Sequence, residues 1–154
     1  WVANRWGARN GYNTKKSAFW RVIRATVARL GVADVSERSW PSSICWSNLY
    51  KVSPHLGGNP SGGLADAQLE HCKQILRIEV SDWKPRRLLF LTGYRWAKPF
   101  VEDLGWKPEF HSHLGEVEAA GSTSNGTRIV VVPHPQGRRE RKLVAAIANA
   151  YGVA

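Results

Sequence analysis

The run Val130-Val131-Val132-Pro133-His134-Pro135-Gln136-Gly137-Arg138-Arg139 delivers an imidazole and two guanidiniums from the end of a β-branched segment. Such a segment reads as a buried strand, and the crevice beyond the carboxyl ends of strands is where open α/β sheets bind ligands. An imidazole there can donate a hydrogen bond to an oxygen that becomes negative in a transition state, and the basic residues after it suit phosphate. Two more segments aim at the same rim: Asn48, near the end of the alternating stretch Ser43 to Tyr50, and the Thr92-Gly93 turn that closes Arg87 to Thr92. An asparagine amide offers a donor and an acceptor to the edge of a base. Taken singly, an asparagine such as Asn48 is more often a turn or cap residue and a histidine before proline such as His134 more often structural; their joint placement points to a nucleobase.

These groups must be held by strands that alternate with helices. Phe19, Val22, Ile23, Thr26, Val27 and Leu30 recur at helical spacing and predict a helix over Ser17 to Leu30, stopped at Gly31. Ser43 to Tyr50 predicts a strand covered on both faces, and Pro54 to Gly63 a loop. Leu69, Cys72, Ile75, Leu76 and Val80 give a helix over Asp66 to Val80, broken at Lys84-Pro85. Arg87 to Thr92 predicts a central parallel strand, followed by a short helix with Trp96, Phe100, Val101 and Leu104 inward. Residues 106 to 126 read as irregular or as an edge hairpin, with a mobile turn over Gly121 to Gly126. The strand Thr127 to Val132 and a helix over Arg139 to Tyr151, with Leu143, Val144, Ile147 and Ala150 inward, complete the chain. The fold class expected is three-layer α/β/α, one domain over residues 1–154, with a central, mainly parallel sheet.

The composition narrows the partner. The 22 Lys and Arg outnumber the 12 Asp and Glu, a formal charge of +10 that either draws the chain to a polyanion, nucleic acid first among them, or only keeps it soluble. Cys45 and Cys72 supply neither a disulfide framework nor a four-cysteine metal site, which fits a reducing compartment. The apolar runs are far short of a membrane span, so a cytoplasmic protein without membrane contact, a monomer, is expected. The chain opens at Trp1 and has no methionine, so upstream residues are expected. Most of its eight tryptophans are assigned to packing.

Ser47-Asn48-Leu49-Tyr50-Lys51-Val52-Ser53-Pro54, Gly58-Asn59-Pro60, then Cys72, Leu76 and Glu79, Lys84-Pro85 to Leu91-Thr92-Gly93, and finally His134-Pro135 resemble the uracil-DNA glycosylase superfamily in order and spacing. The similarity covers about two-thirds of the chain, from Ser43 onward, and is closest to the bacterial and archaeal iron–sulfur branch. The resemblance implies a DNA glycosylase that flips a base from the stack and hydrolyses its N-glycosidic bond, leaving an abasic site. It places Asn48 on the asparagine that holds the flipped base and His134 on the histidine that stabilises the departing base. Gln136, Gly137, Arg138 and Arg139 fall on the loop that enters the minor groove, with Lys51 as a further DNA contact. Tyr12 lies near the aromatic residue that stacks on the base. Asn4 is the in-chain candidate for positioning the attacking water.

Three departures carry consequences. Only Cys72 matches a cluster ligand, with Val52 where another would stand, so no iron–sulfur cluster, metal or other cofactor is expected. His-Pro-Gln replaces His-Pro-Ser, which opens the substrate from uracil to a damaged or modified base, including an enlarged one from foreign DNA; the Gly57-Gly58 and Gly62-Gly63 loop offers space for it. The family's first strand and its water-positioning motif should precede the first helix, where this chain begins, so that strand is expected to be missing from it. A non-catalytic nucleic-acid-binding protein of the same fold is the alternative. A third reading, a phosphate- or nucleotide-binding α/β protein of unrelated activity, lacks the usual Gly-rich strand-to-helix loop.

Overall fold

A computed structural model describes residues 1–111 and 115–153. The chain is a mixed α/β fold: a four-stranded mixed sheet and four α-helices, with short 3-10 turns at Ala3–Arg5, Thr14–Lys16 and Trp40–Ser43. Helix α1 is Ala18–Arg29, α2 Gly62–Trp83, α3 Tyr94–Asp103 and α4 Glu140–Ala150; strand β1 is Arg87–Phe90, β2 Lys107–His111, β3 Ala119–Ser122 and β4 Arg128–Val131. The strand order is β1-β4-β3-β2, which puts β1, expected as a central strand, at an edge.

Only β1 and β4 pair in parallel; β3 runs antiparallel to β4, and β2 to β3. The sheet is therefore mixed rather than mainly parallel, because the segment around residues 106 to 126 supplies a hairpin whose β2 forms one edge. Residues 112–114 of that segment lie outside the described residues. Gly121 belongs to β3 instead of a mobile turn: a Cβ there would collide with the Lys107 carbonyl oxygen and crowd the Trp106 ring. The turn itself is tied by Thr123, whose N–H donates to the Thr127 carbonyl and whose Oγ1 accepts from the Thr127 N–H.

Successive residues of a strand face opposite sides, and the core divides accordingly. Val130 and Val132 join Trp20, Ile23 and Val27 of α1 and Leu143, Val144 and Ile147 of α4. Ile129 and Val131 join Cys72, Leu76 and Val80 of α2 and Ala97, Phe100 and Val101 of α3. Each such aliphatic or aromatic side chain, fully buried, is worth about 1.5–3 kcal/mol.

Helix α2 starts four residues before its predicted beginning, so Gly62 and Gly63 form its first turn rather than a spacious loop. Ser61 caps it by accepting from the Leu64 N–H, and Lys84 ends it in the left-handed region at φ 44°. Its buried stripe is Ala65, Gln68, Cys72, Leu76 and Val80; Ile75, expected inward, is exposed. The polar Gln68 belongs on that stripe because its amide clamps another segment: Oε1 accepts from Val52 N at 2.9 Å, and Nε2 donates to Val52 O at 3.0 Å.

The strand expected over Ser43 to Tyr50 does not form. Ser43 closes a 3-10 turn, and residues 44–50 are neither helix nor strand. No ladder partner lies beside them, and their apolar side chains serve two cores: Ile44 packs with α1 and α4, Leu49 and Tyr50 with α2 and α3. Leu49 and Tyr50 lie on opposite sides of the alternation yet enter the same core, and residues 45–48 are exposed, so the alternation corresponds to no pair of buried faces. Among the described residues, no helix is long and apolar enough to cross a membrane.

Candidate functional site

His134 is presented by a locked loop. Pro133 and Pro135 are buried on either side of it while the imidazole is exposed. The Gln136 N–H donates to its Nδ1 at 3.2 Å. That bond assigns the neutral tautomer: Nδ1 is the acceptor, and Nε2 carries the proton and remains a donor to whatever enters from solvent. Phe19 of α1 lies nearly parallel to the imidazole, ring centres 6.2 Å apart and planes at 16°.

The rest of the loop is a tight turn. Gly137 takes φ 76°, and Arg138 N–H donates to the Pro135 carbonyl at 3.1 Å. Gln136, Arg138 and Arg139 are exposed, and Arg139 is the N-cap of α4. The start of α4 is held by Glu140, whose two carboxylate oxygens both accept from Arg21 Nε, at 3.2 and 3.0 Å. The hydrogen bond from Arg21 holds the Glu140 carboxyl below its ordinary range, against the opposing effect of burial.

The second rim element lies where expected. Gly93 N–H donates to the Val132 carbonyl at 2.9 Å, which joins the Thr92-Gly93 turn directly to the strand that carries His134. Gly93 has φ 81° and ψ 154°, a conformation open essentially to glycine alone. From the other side of β4, Glu118 N–H donates to the Val131 carbonyl, and its carboxylate accepts from Tyr94 N–H at the start of α3. Sequence reading passed over Glu118, because it falls in the segment without a clear period.

Asn48 is exposed on the unpaired segment, and its neighbours are braced. Ser47 Oγ donates to Glu79 Oε1 at 2.8 Å, and Lys51 Nζ donates to the same oxygen at 3.1 Å. Lys51 thus has its charge matched by Glu79 and braces the segment.

The largest addition to the sequence reading is a connected run of aromatic rings. Tyr12 stacks on Trp1 at 5.5 Å and 21°; Trp1 meets Trp20 at 6.5 Å; Trp20 meets Trp46 at 5.5 Å and Phe19 at 5.2 Å; Phe19 stacks on His134. Trp20 is only 4% exposed, whereas Trp1, Tyr12 and Trp46 are 65%, 52% and 54% exposed. One buried ring, Trp20, therefore links the exposed pair Trp1 and Tyr12 to Trp46 and, through Phe19, to His134. Nothing local in the sequence signals it, since its members come from residues 1 to 134 and meet only in the fold.

Asn4 is exposed in the first 3-10 turn. The asparagine that organises the loop is Asn13: its Oδ1 accepts from Gly7 and Lys15 N–H, and its Nδ2 donates to the Ala8 carbonyl. Cys45 is exposed, and Cys72 is a core residue whose Sγ lies 3.5 Å from Gln68 Oε1. Among the described residues, no group of three or more His, Cys, Asp or Glu is placed to hold a metal ion. No protein-family model matches the chain, and neither a curated protein nor a solved structure matches it.

Proposed function

We propose that the chain is a DNA glycosylase of the uracil-DNA glycosylase type, with a three-layer arrangement of helices around its sheet, and that His134 acts on a base held against the aromatic surface. The observation that carries this reading is the run from Tyr12 to His134. Two residues that the resemblance assigns to base stacking and base departure are members of one connected aromatic cluster. A flipped base gains stacking from exposed rings, and a donor beside them can stabilise the negative charge that develops as the glycosidic bond breaks. His134 Nε2–H has the tautomer for that role. Water attacks the anomeric carbon as the bond to the base opens; the electron pair of that bond leaves with the base, and a proton lost from the water balances the base anion. Asn48 reads the base edge, and Arg138 and Arg139 meet phosphates.

The open aromatic faces of Trp1, Tyr12 and Trp46 also favour the second reading, a nucleic-acid-binding protein that stacks bases without cleaving them. Incubation with oligonucleotides carrying uracil, hypoxanthine or modified cytosines, followed by alkaline cleavage, separates the two. Strand breaks from one of these substrates, lost in His134→Ala and Asn48→Ala, support the glycosylase. Salt-sensitive binding without abasic product from any of them supports the binding protein.

A further inference from the structure

A cavity lies at the opposite end of the sheet, where β1 and β4 begin. Its volume is about 350 Å³, and it is lined by Leu30 and Gly31, at the end of α1, and by Arg86, Arg87, Arg128 and Tyr151. A neighbouring cavity of about 330 Å³ shares Arg86 and adds Lys84 and Asn125. The backbone forces the arginines together: Arg128 N–H donates to the Arg86 carbonyl, and Arg87 and Arg128 are register partners across the parallel pair. Like charges directly opposite on neighbouring strands are destabilising, so this arrangement calls for a counter-charge.

The protein supplies only part of it. Arg128 is committed: it pairs with Glu109 Oε2, and its Nε donates to the Ala150 carbonyl at 3.3 Å. The Arg87 guanidinium sits over the Tyr151 ring at 5.9 Å, which orients it. Among the described residues, neither Arg86 nor Arg87 has an acidic partner. The ends of α1 and α4 bring roughly half a negative charge each, so two unmatched guanidiniums still leave about one positive charge at the cavity.

We propose that this cavity binds a phosphate group, gripped by Arg86 and Arg87 with Arg128 behind them. Planar guanidiniums suit a tetrahedral oxyanion because each can give two parallel N–H bonds to it. The inference is independent of the glycosylase reading, since it concerns the other end of the strands. The phosphate can belong to a small molecule or to a nucleic-acid backbone, and both present the same oxyanion.

The test titrates the full chain with inorganic phosphate, holding ionic strength constant with chloride, and follows the arginine Nε–Hε resonances by NMR. The expected result is saturable shifts at Arg86, Arg87 and Arg128 that chloride does not reproduce. Arg87→Ala should weaken binding about tenfold or more, as expected for losing a charge-assisted pair, with Arg87→Lys between it and the parent. Lys98→Ala, on the exposed face of α3, serves as a control that leaves phosphate binding unchanged. Competition by a 5′-phosphorylated dinucleotide but not its unphosphorylated form identifies a terminal phosphate as the ligand; competition by both identifies a backbone phosphodiester. A linear response equal to that of chloride, or unchanged affinity in folded Arg87→Ala and Arg86→Ala, overturns the proposal.

Discussion

The loop that carries Arg138 and Arg139 is anchored at its far end by Arg21 and Glu140, and removing that anchor has a calculable cost. Arg21 Nε reaches both oxygens of Glu140, Nη2 adds a third contact, and Nη1 donates to the Lys15 carbonyl at 2.9 Å. The two side chains are 36% and 31% exposed, so solvent screens the pair only in part. Exposed pairs couple by about 0.2–1 kcal/mol, and forked geometry with partial burial places this one near the top of that range. A double-mutant cycle of Arg21→Met and Glu140→Gln should therefore give a coupling of about 1 kcal/mol at neutral pH, or roughly 2–4 °C in Tm for a chain of this size. The sign of the pH dependence follows from the lowered Glu140 pKa. Because the folded value lies below the unfolded one, the stabilisation is complete above the ordinary carboxylate range, about pH 4–5, and is lost as pH falls through the folded value. Urea unfolding of the four proteins at pH 7 and pH 3 measures both effects. A coupling below about 0.3 kcal/mol at pH 7, or one that is the same at both pH values, would refute this reasoning.

Three further outcomes follow from particular contacts. Gly121→Ala should destabilise by about 1–3 kcal/mol in thermal unfolding, since its Cβ meets the Lys107 carbonyl oxygen and the Trp106 ring; an unchanged Tm would show that β2 lies elsewhere. Gln68→Leu should cost about 1–3 kcal/mol and speed hydrogen exchange of the Val52 amide, whose acceptor it removes, while a Val52 amide that stays protected would contradict the clamp. Phe19→Ala should change the His134 imidazole resonances and leave α4 folded by circular dichroism; resonances that do not move would mean the two rings are not stacked.

The helices were readable because one side of each is buried, and β4 because its apolar run is buried on both faces. Phe19 to Leu30, Leu143 to Ile147 and the apolar runs of β1 and β4 carry their structure in their spacing. Elements decided by tertiary contacts were readable only in part. For residues 106 to 126 an edge hairpin was one of two readings, and β2 pairs with β3 in that way; Pro108 and the charged side chains of Lys107–His111 left the choice open. Gln68 looks like a surface residue until the Val52 backbone is laid against it. The alternation of Ser43 to Tyr50 marked no pair of sheet faces: residues 45–48 are exposed, and Leu49 and Tyr50 enter one core together. At the site, the flanking prolines made His134 legible. Its stacking partner and the surface leading to Tyr12 were not, because Phe19, Trp46 and Trp1 are distant in sequence.

Single-turnover release of the free base from a uracil- or modified-base-containing oligonucleotide tests the proposed activity most directly. Loss of one transition-state donor typically lowers the rate by about 10²–10³-fold, and His134→Ala should show a loss of that order while retaining DNA binding. Base release at the parental rate in His134→Ala, or no release from any of these substrates by the parent chain, would contradict the assignment of His134 as the group that stabilises the departing base.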